Sequence, residues 1–315
     1  MIFLYCLLGI LGFAVIAALI TAFICFYRIF YSPKRNPLGE DEYEVPDGEI
    51  YESRRDEIIA WVKAARASPC EEVEIKSFDG LTLRGKYYEC QAGATLEILF
   101  HGYQGNAERD LSGGIERCFS LGRNVLLVDH RASGRSDGHV ISFGINERRD
   151  CLAWIDFAVS KFGSDVKIII TGVSMGGATV AMAASEELPP NVVCALADCP
   201  YTSPEEIIKK VIGEMKLPAN ILYPFVRLGA RIFGGFNIDE ASPIESVARA
   251  KIPIIFIHGD ADGFVPCEMS QRLFETCSSK KKLVFIPGAG HGLAFPQNKG
   301  LYLSSLSDFQ KECGF

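Results

Sequence analysis

No C-x-x-C pair occurs anywhere in this 315-residue sequence, and its eleven cysteines are scattered. That removes the usual zinc-ribbon and dithiol spacings. An odd, scattered set in a chain this long predicts reduced, individually buried thiols and a reducing compartment. Positive charge is not in surplus: 32 Lys+Arg stand against 39 Asp+Glu, a net charge of −7. With no basic stripe, nucleic acid is excluded as a partner. Internal repeats are missing, and the thirty glycines follow no period, which excludes collagen and glycine repeats. At 48% apolar residues the chain has ample material for a core, so disorder is excluded too.

Charge is also absent from Met1 to Tyr27. About 20 such residues, at roughly 1.5 Å each, span a hydrocarbon core. Arg28, Lys34 and Arg35 follow, with Phe26, Tyr27, Phe30 and Tyr31 at the boundary. Residues 1–31 therefore read as a transmembrane anchor. A cleaved signal peptide would carry a basic n-region and a shorter apolar run. The basic residues lie after the helix, which predicts a single-pass protein with its C-terminal domain in the cytoplasm. Residues 32–50 form an acidic linker, with Glu40, Asp41, Glu42, Glu44 and Asp47 among Pro33, Pro37, Pro46 and Gly48. Their composition predicts an extended tether with no attraction for lipid.

Residues 51–315 read as one α/β domain. A short amphipathic helix covers Tyr51–Ala65. Glu72–Phe78 and Thr82–Glu89 flank Asp79-Gly80, a hairpin signal. Strand-like runs at Thr95–Phe100, Asn124–Asp129, Val166–Thr171, Asn191–Asp198, Ile252–His258 and Lys282–Pro287 then alternate with helical ones. The helical runs are Glu108–Leu121, Ile145–Phe162, Met175–Glu187, Val265–Cys277 and Gln297–Cys313. A hairpin followed by this alternation predicts a mostly parallel central sheet with helices on both faces. Residues 200–250 contain no strand. Their apolar Ile221, Leu222, Tyr223, Phe225, Val226, Leu228, Ile232 and Phe233 predict about two helices inserted as a lid.

The string G-x-S-x-G occurs at Gly172–Gly176 and again at Gly134–Gly138. A nucleophile elbow needs a strand running into the turn and a helix leaving it. Ser174 follows VKIIIT and precedes a small-residue helix, whereas Ser136 has no helix until about Ile145. Ser174 is therefore the candidate nucleophile and Ser136 a loop serine. A serine needs a base, and the base needs an acid to orient it. Of five histidines only His258 and His291 follow Ser174. His291, on a glycine-rich loop after the last strand, is the candidate base. Asp262 is the favoured acid, with Asp260 and Asp198 as alternatives that could instead satisfy a turn or cap the insert. Two backbone donors should hold an oxyanion. Met175 supplies one, and Tyr103, in His101–Asn106 after an early strand, supplies the other.

These motifs resemble the α/β-hydrolase superfamily: HGYQGN from His101, VDHRASGRSDG from Val128, GVSMGG from Gly172, HGDADGFVP from His258 and PGAGHG from Pro287. Five strings in the right order are spread over most of residues 72–292. The resemblance implies an α/β-hydrolase fold and a serine hydrolase with neither metal nor organic cofactor. It supports Asp262 over Asp260, and it makes Ser136 part of the recurrent loop after the fourth strand. The likeness is to membrane-anchored esterase-like hydrolases and to the serine-aminopeptidase-like and monoacylglycerol-lipase-like branch. One departure is Ala132-Ser133, where that loop usually has its first glycine. The expected substrates are small-molecule esters or acyl groups, lipid-like ones included. The alternatives are a serine aminopeptidase, with Glu205, Glu206 and Glu214 available for a substrate amine, and a membrane-bound, non-catalytic module. A Cys199 hydrolase is disfavoured because Pro200 has no N–H for an oxyanion.

Overall fold

The computed structural model describes residues 1–34, 39 and 41–314. Arg35, Pro37 and Glu40 of the expected flank and linker lie outside the described residues. The chain opens with α1 (Ile2–Ile29), long and apolar enough to cross a membrane. The short α2 (Glu49–Glu52) and α3 (Arg55–Ala67) replace the single helix expected at Tyr51–Ala65. The hairpin follows as β1 (Glu71–Lys76) and β2 (Thr82–Tyr88), with Lys76 opposite Thr82 across the Asp79-Gly80 turn. Then come β3 (Leu96–Phe100), α4 (Ala107–Ser120), β4 (Asn124–Val128) and α5 (Glu147–Phe162). They lead to β5 (Ile168–Val173), α6 (Met175–Ala183) and β6 (Val192–Asp198). The insert is α7 (Pro204–Glu214), α8 (Ala219–Ile232) and α9 (Pro243–Val247). The chain ends with β7 (Ile254–Gly259), α10 (Cys267–Thr276), β8 (Lys281–Ile286), α11 (Ala294–Gln297) and α12 (Lys299–Cys313).

One eight-stranded sheet runs in the order β1-β2-β4-β3-β5-β6-β7-β8. The β1–β2 and β2–β4 pairings are antiparallel, and β4 through β8 are parallel. Strand side chains alternate, so each strand feeds two layers. Leu96, Ile98, Ile170, Ala195 and Phe256 pack with Trp154 of α5 and Leu273 of α10. Leu99 and Leu127 pack on α4 from the other face, and Ile169, Leu196 and Ile257 meet Leu306 and Phe309 of α12. Both faces being covered explains why Ile168–Ile170 is an unbroken apolar run. Each fully buried Ile there contributes about 1.5–3 kcal/mol.

Two expectations need correction. The described linker residues from Tyr43 on do not stand away from the domain. Glu44 meets Asn106 and Arg109, and Arg66 holds the Glu42 carbonyl at 3.0 Å. Basic side chains on α3 and α4 draw the acidic segment down. The cysteines are all free, but only Cys118, Cys151, Cys194, Cys199 and Cys277 are buried; Cys6 and Cys70 are exposed. Cys6 lies on the free part of α1 and Cys70 just ahead of the edge strand β1, where the fold has nothing to cover them.

Candidate active site

β5 runs directly into Ser174, and α6 leaves from Met175. Ser174 sits at φ 57° and ψ −116°, a region that non-glycine residues rarely occupy. The glycines around it let the turn close. A Cβ on Gly172 would lie 2.0 Å from the Gly176 backbone, and one on Gly176 would lie 2.1 Å from the Phe100 carbonyl oxygen. The Ser174 N–H donates to the Asp198 carbonyl at 2.8 Å, tying the turn to β6.

His291 stands on the Gly288–Gly292 loop after β8. Its Nε2 is 2.9 Å from Ser174 Oγ, and its Nδ1 is 2.7 Å from Asp262 Oδ2. An ionised carboxylate only accepts, so Nδ1 carries the proton and Nε2 is left to accept from the serine hydroxyl. Asp262 lies in the turn after β7. Its Oδ1 accepts the N–H groups of Phe264 at 2.9 Å and Val265 at 2.8 Å. Burial alone would push this carboxyl up. Hydrogen bonds from His258 and His291, the His291 charge and the Val265 amide outweigh that and hold it well below the usual carboxylate range.

The alternatives for each role are engaged elsewhere. Asp260 accepts the Gly288 N–H at 2.6 Å and serves the turn. Asp198 is bound by the Tyr302 hydroxyl at 2.8 Å, and burial raises its pKa. His258 places Nε2 2.9 Å from the Val265 carbonyl and 3.2 Å from Asp262, with Nδ1 2.6 Å from Ser270 Oγ. Both partners at Nε2 accept, so Nε2 is protonated and Ser270 donates to Nδ1. Burial and the charges of Asp198 and Asp262 keep the Cys199 thiol protonated, which removes it as a nucleophile. Cys199, Asp262 and His291 offer atoms within 4.8 Å of one another, the one such group among the described residues. A metal there would have to ionise that thiol and break the Asp262–His291 bond, so these residues fit a proton relay better.

The His101–Asn106 loop lies against the elbow: a Cβ on Gly102 would sit 3.6 Å from Ser174 Cβ. Met175 is the first residue of α6, where an N–H has no acceptor within the helix. His101 is fully buried and braces the loop. Its Nδ1 meets the Gly102 carbonyl at 2.7 Å, and its Nε2 accepts the His130 N–H at 3.0 Å. Burial lowers the pKa of both histidines, and with its Nε2 accepting a hydrogen bond the His101 ring is neutral. Reading the sequence missed His101 and His258 in these roles. The signal was there: each heads an H-G string at the end of a buried strand.

A cleft of about 500 Å³ opens over these groups, lined by Ser174, His291, Tyr103, Asp110, Phe264 and Tyr51. The Tyr51 hydroxyl donates to the His291 carbonyl at 3.0 Å. Asp110 is held by Arg109 at 2.6 Å. No residue from 200–250 lines the cleft; the linker end, Pro46–Tyr51, rims it instead. The buried side chains of α8, Tyr223, Val226 and Ala230, share a core with Phe26 and Phe30 at the end of α1 and with Met175, Ala178 and Met182 of α6. A larger groove of about 1170 Å³, along Arg84 and the 129–138 loop, contains neither Ser174 nor His291.

Residues 141–314, more than half of the chain, match the prolyl oligopeptidase family. The chain belongs to that family of α/β-hydrolases. It shares membership with the X-Pro dipeptidyl-peptidase family (S15), whose model matches residues 51–210. This serine hydrolase is also 27% identical over 236 residues to the uncharacterised protein YqkD of Bacillus subtilis, covering 75% of this chain and 77% of that one. It is 27% identical over 197 residues to the esterase LipC of Mycobacterium tuberculosis, covering 56% and 47%. Among solved structures it shares its fold with the Pyrococcus furiosus esterase Pf2001, at a TM-score of 0.64 and 23% identity, covering 86% of this hydrolase and 97% of that chain. Est1E of Butyrivibrio proteoclasticus, solved with ferulic acid, gives a TM-score of 0.57 at 23% identity, covering 76% and 98%.

Proposed function

We propose that this protein is a membrane-anchored serine esterase, with its hydrolase domain on the cytoplasmic side, that works by two-step acyl transfer. The observation that carries the reading is the hydrogen-bond chain from Ser174 through His291 to Asp262, at 2.9 and 2.7 Å. His291 takes the Ser174 proton as the oxygen attacks an ester carbonyl. The Tyr103 and Met175 amides hold the oxyanion. His291, oriented by Asp262, then protonates the leaving alcohol, and water repeats the sequence on the acyl-enzyme. The cytoplasmic side rests on Arg28 and Lys34 following α1.

Ester substrates are favoured over peptides by the fate of the lid acids. Glu206 pairs with Arg272, Glu205 with Lys209 and Glu214 with Lys210, and none lines the cleft. An amine-recognition site would need a carboxylate facing the substrate; among those that do line the cleft, Asp110 is held by Arg109, and Asp47 and Glu49 stand in the rim segment. A peptidase is the second reading, carried by the family match. The test is the full chain in detergent, assayed with p-nitrophenyl esters of rising acyl length and with aminoacyl p-nitroanilides, beside Ser174→Ala. Turnover of esters that rises with acyl length and disappears in the mutant supports a lipid-side esterase. Ser174-dependent cleavage of the anilides alone establishes the peptidase reading instead.

A further inference from the structure

Burial on α1 begins late. Ile2 to Ala17 are all exposed, while Ala18, Thr21, Ala22, Cys25, Phe26 and Ile29 turn inward. The sixteen free residues of the helix are about 24 Å long at 1.5 Å per residue. A hydrocarbon core is about 30 Å thick and needs about 20 residues. A bilayer that holds α1 therefore reaches past Ala17, into the stretch packed on α8.

That packing is close. A Cβ on Gly229 would lie 2.4 Å from the Ala22 carbonyl oxygen and 3.1 Å from Phe26 Cβ, so glycine is required there. Small residues at the contact are how helices pack inside membranes. Phe233 meets Phe23 edge-on at 5.2 Å. Beside this contact α8 turns a second apolar stripe outward. Ile221, Phe225, Leu228 and Ile232, at i, i+4, i+7 and i+11, share one helical face. Ile221 is 66% exposed and Ile232 50%, with Phe225 and Leu228 half-buried between them. The charged side chains of α8, Arg227 and Arg231, are both basic and both exposed, as headgroup-level residues of an interfacial helix are, and Arg227 also pairs with Asp239 at 2.6 Å.

We infer that α8 lies in the same lipid bilayer as α1, with its Ile221–Ile232 stripe immersed at the hydrocarbon edge and its arginines among the headgroups. The hydrolase then stands on a two-helix apolar foot. This rests on α1 spanning the membrane. The foot also reaches the site: the Tyr103 hydroxyl donates to the Ile29 carbonyl at 2.7 Å, and Phe30 packs edge-on against Phe143 at 5.8 Å. The candidate oxyanion loop is thereby held next to the bilayer surface.

The test places tryptophan reporters in the full chain, reconstituted in phosphatidylcholine vesicles containing brominated acyl chains. Phe13→Trp reports the free part of α1, Ile232→Trp and Ile221→Trp report the stripe, and Leu301→Trp on α12 is the remote control. The native Trp61 and Trp154 give a constant background, and circular dichroism melting confirms that each variant is folded. The expected result is quenching at Phe13→Trp and at the stripe reporters that exceeds the Leu301→Trp value by about two-fold or more. Quenching at Phe13→Trp with both stripe reporters at the control level overturns the inference and leaves α1 a span. No quenching at Phe13→Trp overturns the span and the inference together.

Discussion

Ser174 and Ser136 sit in the same five-residue pattern, and the fold treats them in opposite ways. Ser174 holds a strained backbone at φ 57° and gives its hydroxyl to His291. Ser136 is 1% exposed; its hydroxyl donates to the Asp129 carbonyl at 2.8 Å and accepts the Arg84 N–H at 2.9 Å. One hydroxyl is aimed at a base and the other closes a backbone gap. Glycines surround both, but they do different work. Gly172 and Gly176 let β5 and α6 touch, while Gly134 leaves room for the Asp129 carboxylate, 2.3 Å from where a Cβ would stand. A short string carries chemistry only when a strand delivers it to the carboxyl edge of the sheet.

The comparison can be tested by removing each part in turn. Ser174→Ala should lower ester turnover about 10⁴–10⁶-fold with the fold intact, measured as kcat beside a thermal melt. Asp262→Asn should lower kcat by about 10⁴, because the amide no longer fixes the His291 tautomer; steady-state kinetics checks it. Glu97→Gln strikes the support under the elbow instead. The Glu97 carboxylate is fully buried and takes Arg117, Arg123 and the Thr171 hydroxyl. Burial raises its pKa, yet the two arginines and their hydrogen bonds bring it down to about 2. Its contribution is therefore complete above pH 4.5, the ordinary value, and is lost as pH falls through about 2. The mutant should lose about 3–5 kcal/mol at neutral pH, and its urea midpoint should fall less steeply in acid than the parent's. Ser136→Ala should cost about 1–3 kcal/mol, by orphaning the Arg84 amide, and leave kcat within about two-fold. Lys216, exposed at φ 59° just after α7, supplies a positive φ with no chemistry attached. Lys216→Gly should stabilise by about 1 kcal/mol with turnover unchanged, read from the melt.

Much of the fold was legible because a parallel sheet buried on both faces writes itself as short apolar runs between helical ones. β3, β4, β6 and β8 fall within two residues of the expected runs, and the hairpin turns at Asp79-Gly80 as its residues require. Ser174, His291 and Asp262 were readable from local strings, and the fold brings them together across the sheet edge. What was not legible depends on surfaces meeting far apart in sequence. The insert looked like a roof for the cleft, because its apolar residues carry no label for what they touch; Tyr223, Val226 and Phe233 pack with α1, while Ile221 and Ile232 face outward. The acidic linker looked like a free tether, because Arg66 and Arg109, which hold it, lie on helices much further along. The H-G strings mark where His101 and His258 stand but not what they do, since a buried histidine and a reactive one read alike until the partners of both ring nitrogens are known.

The claim that one serine of the pair is a poised nucleophile is tested most directly by covalent labelling. The full chain is treated with a fluorophosphonate probe at neutral pH, and the modified peptide is identified by mass spectrometry. A single adduct on Ser174 is expected, lost in Ser174→Ala and in His291→Ala and retained in Ser136→Ala. A folded chain that takes no label, or takes it on Ser136 or any other serine, contradicts it.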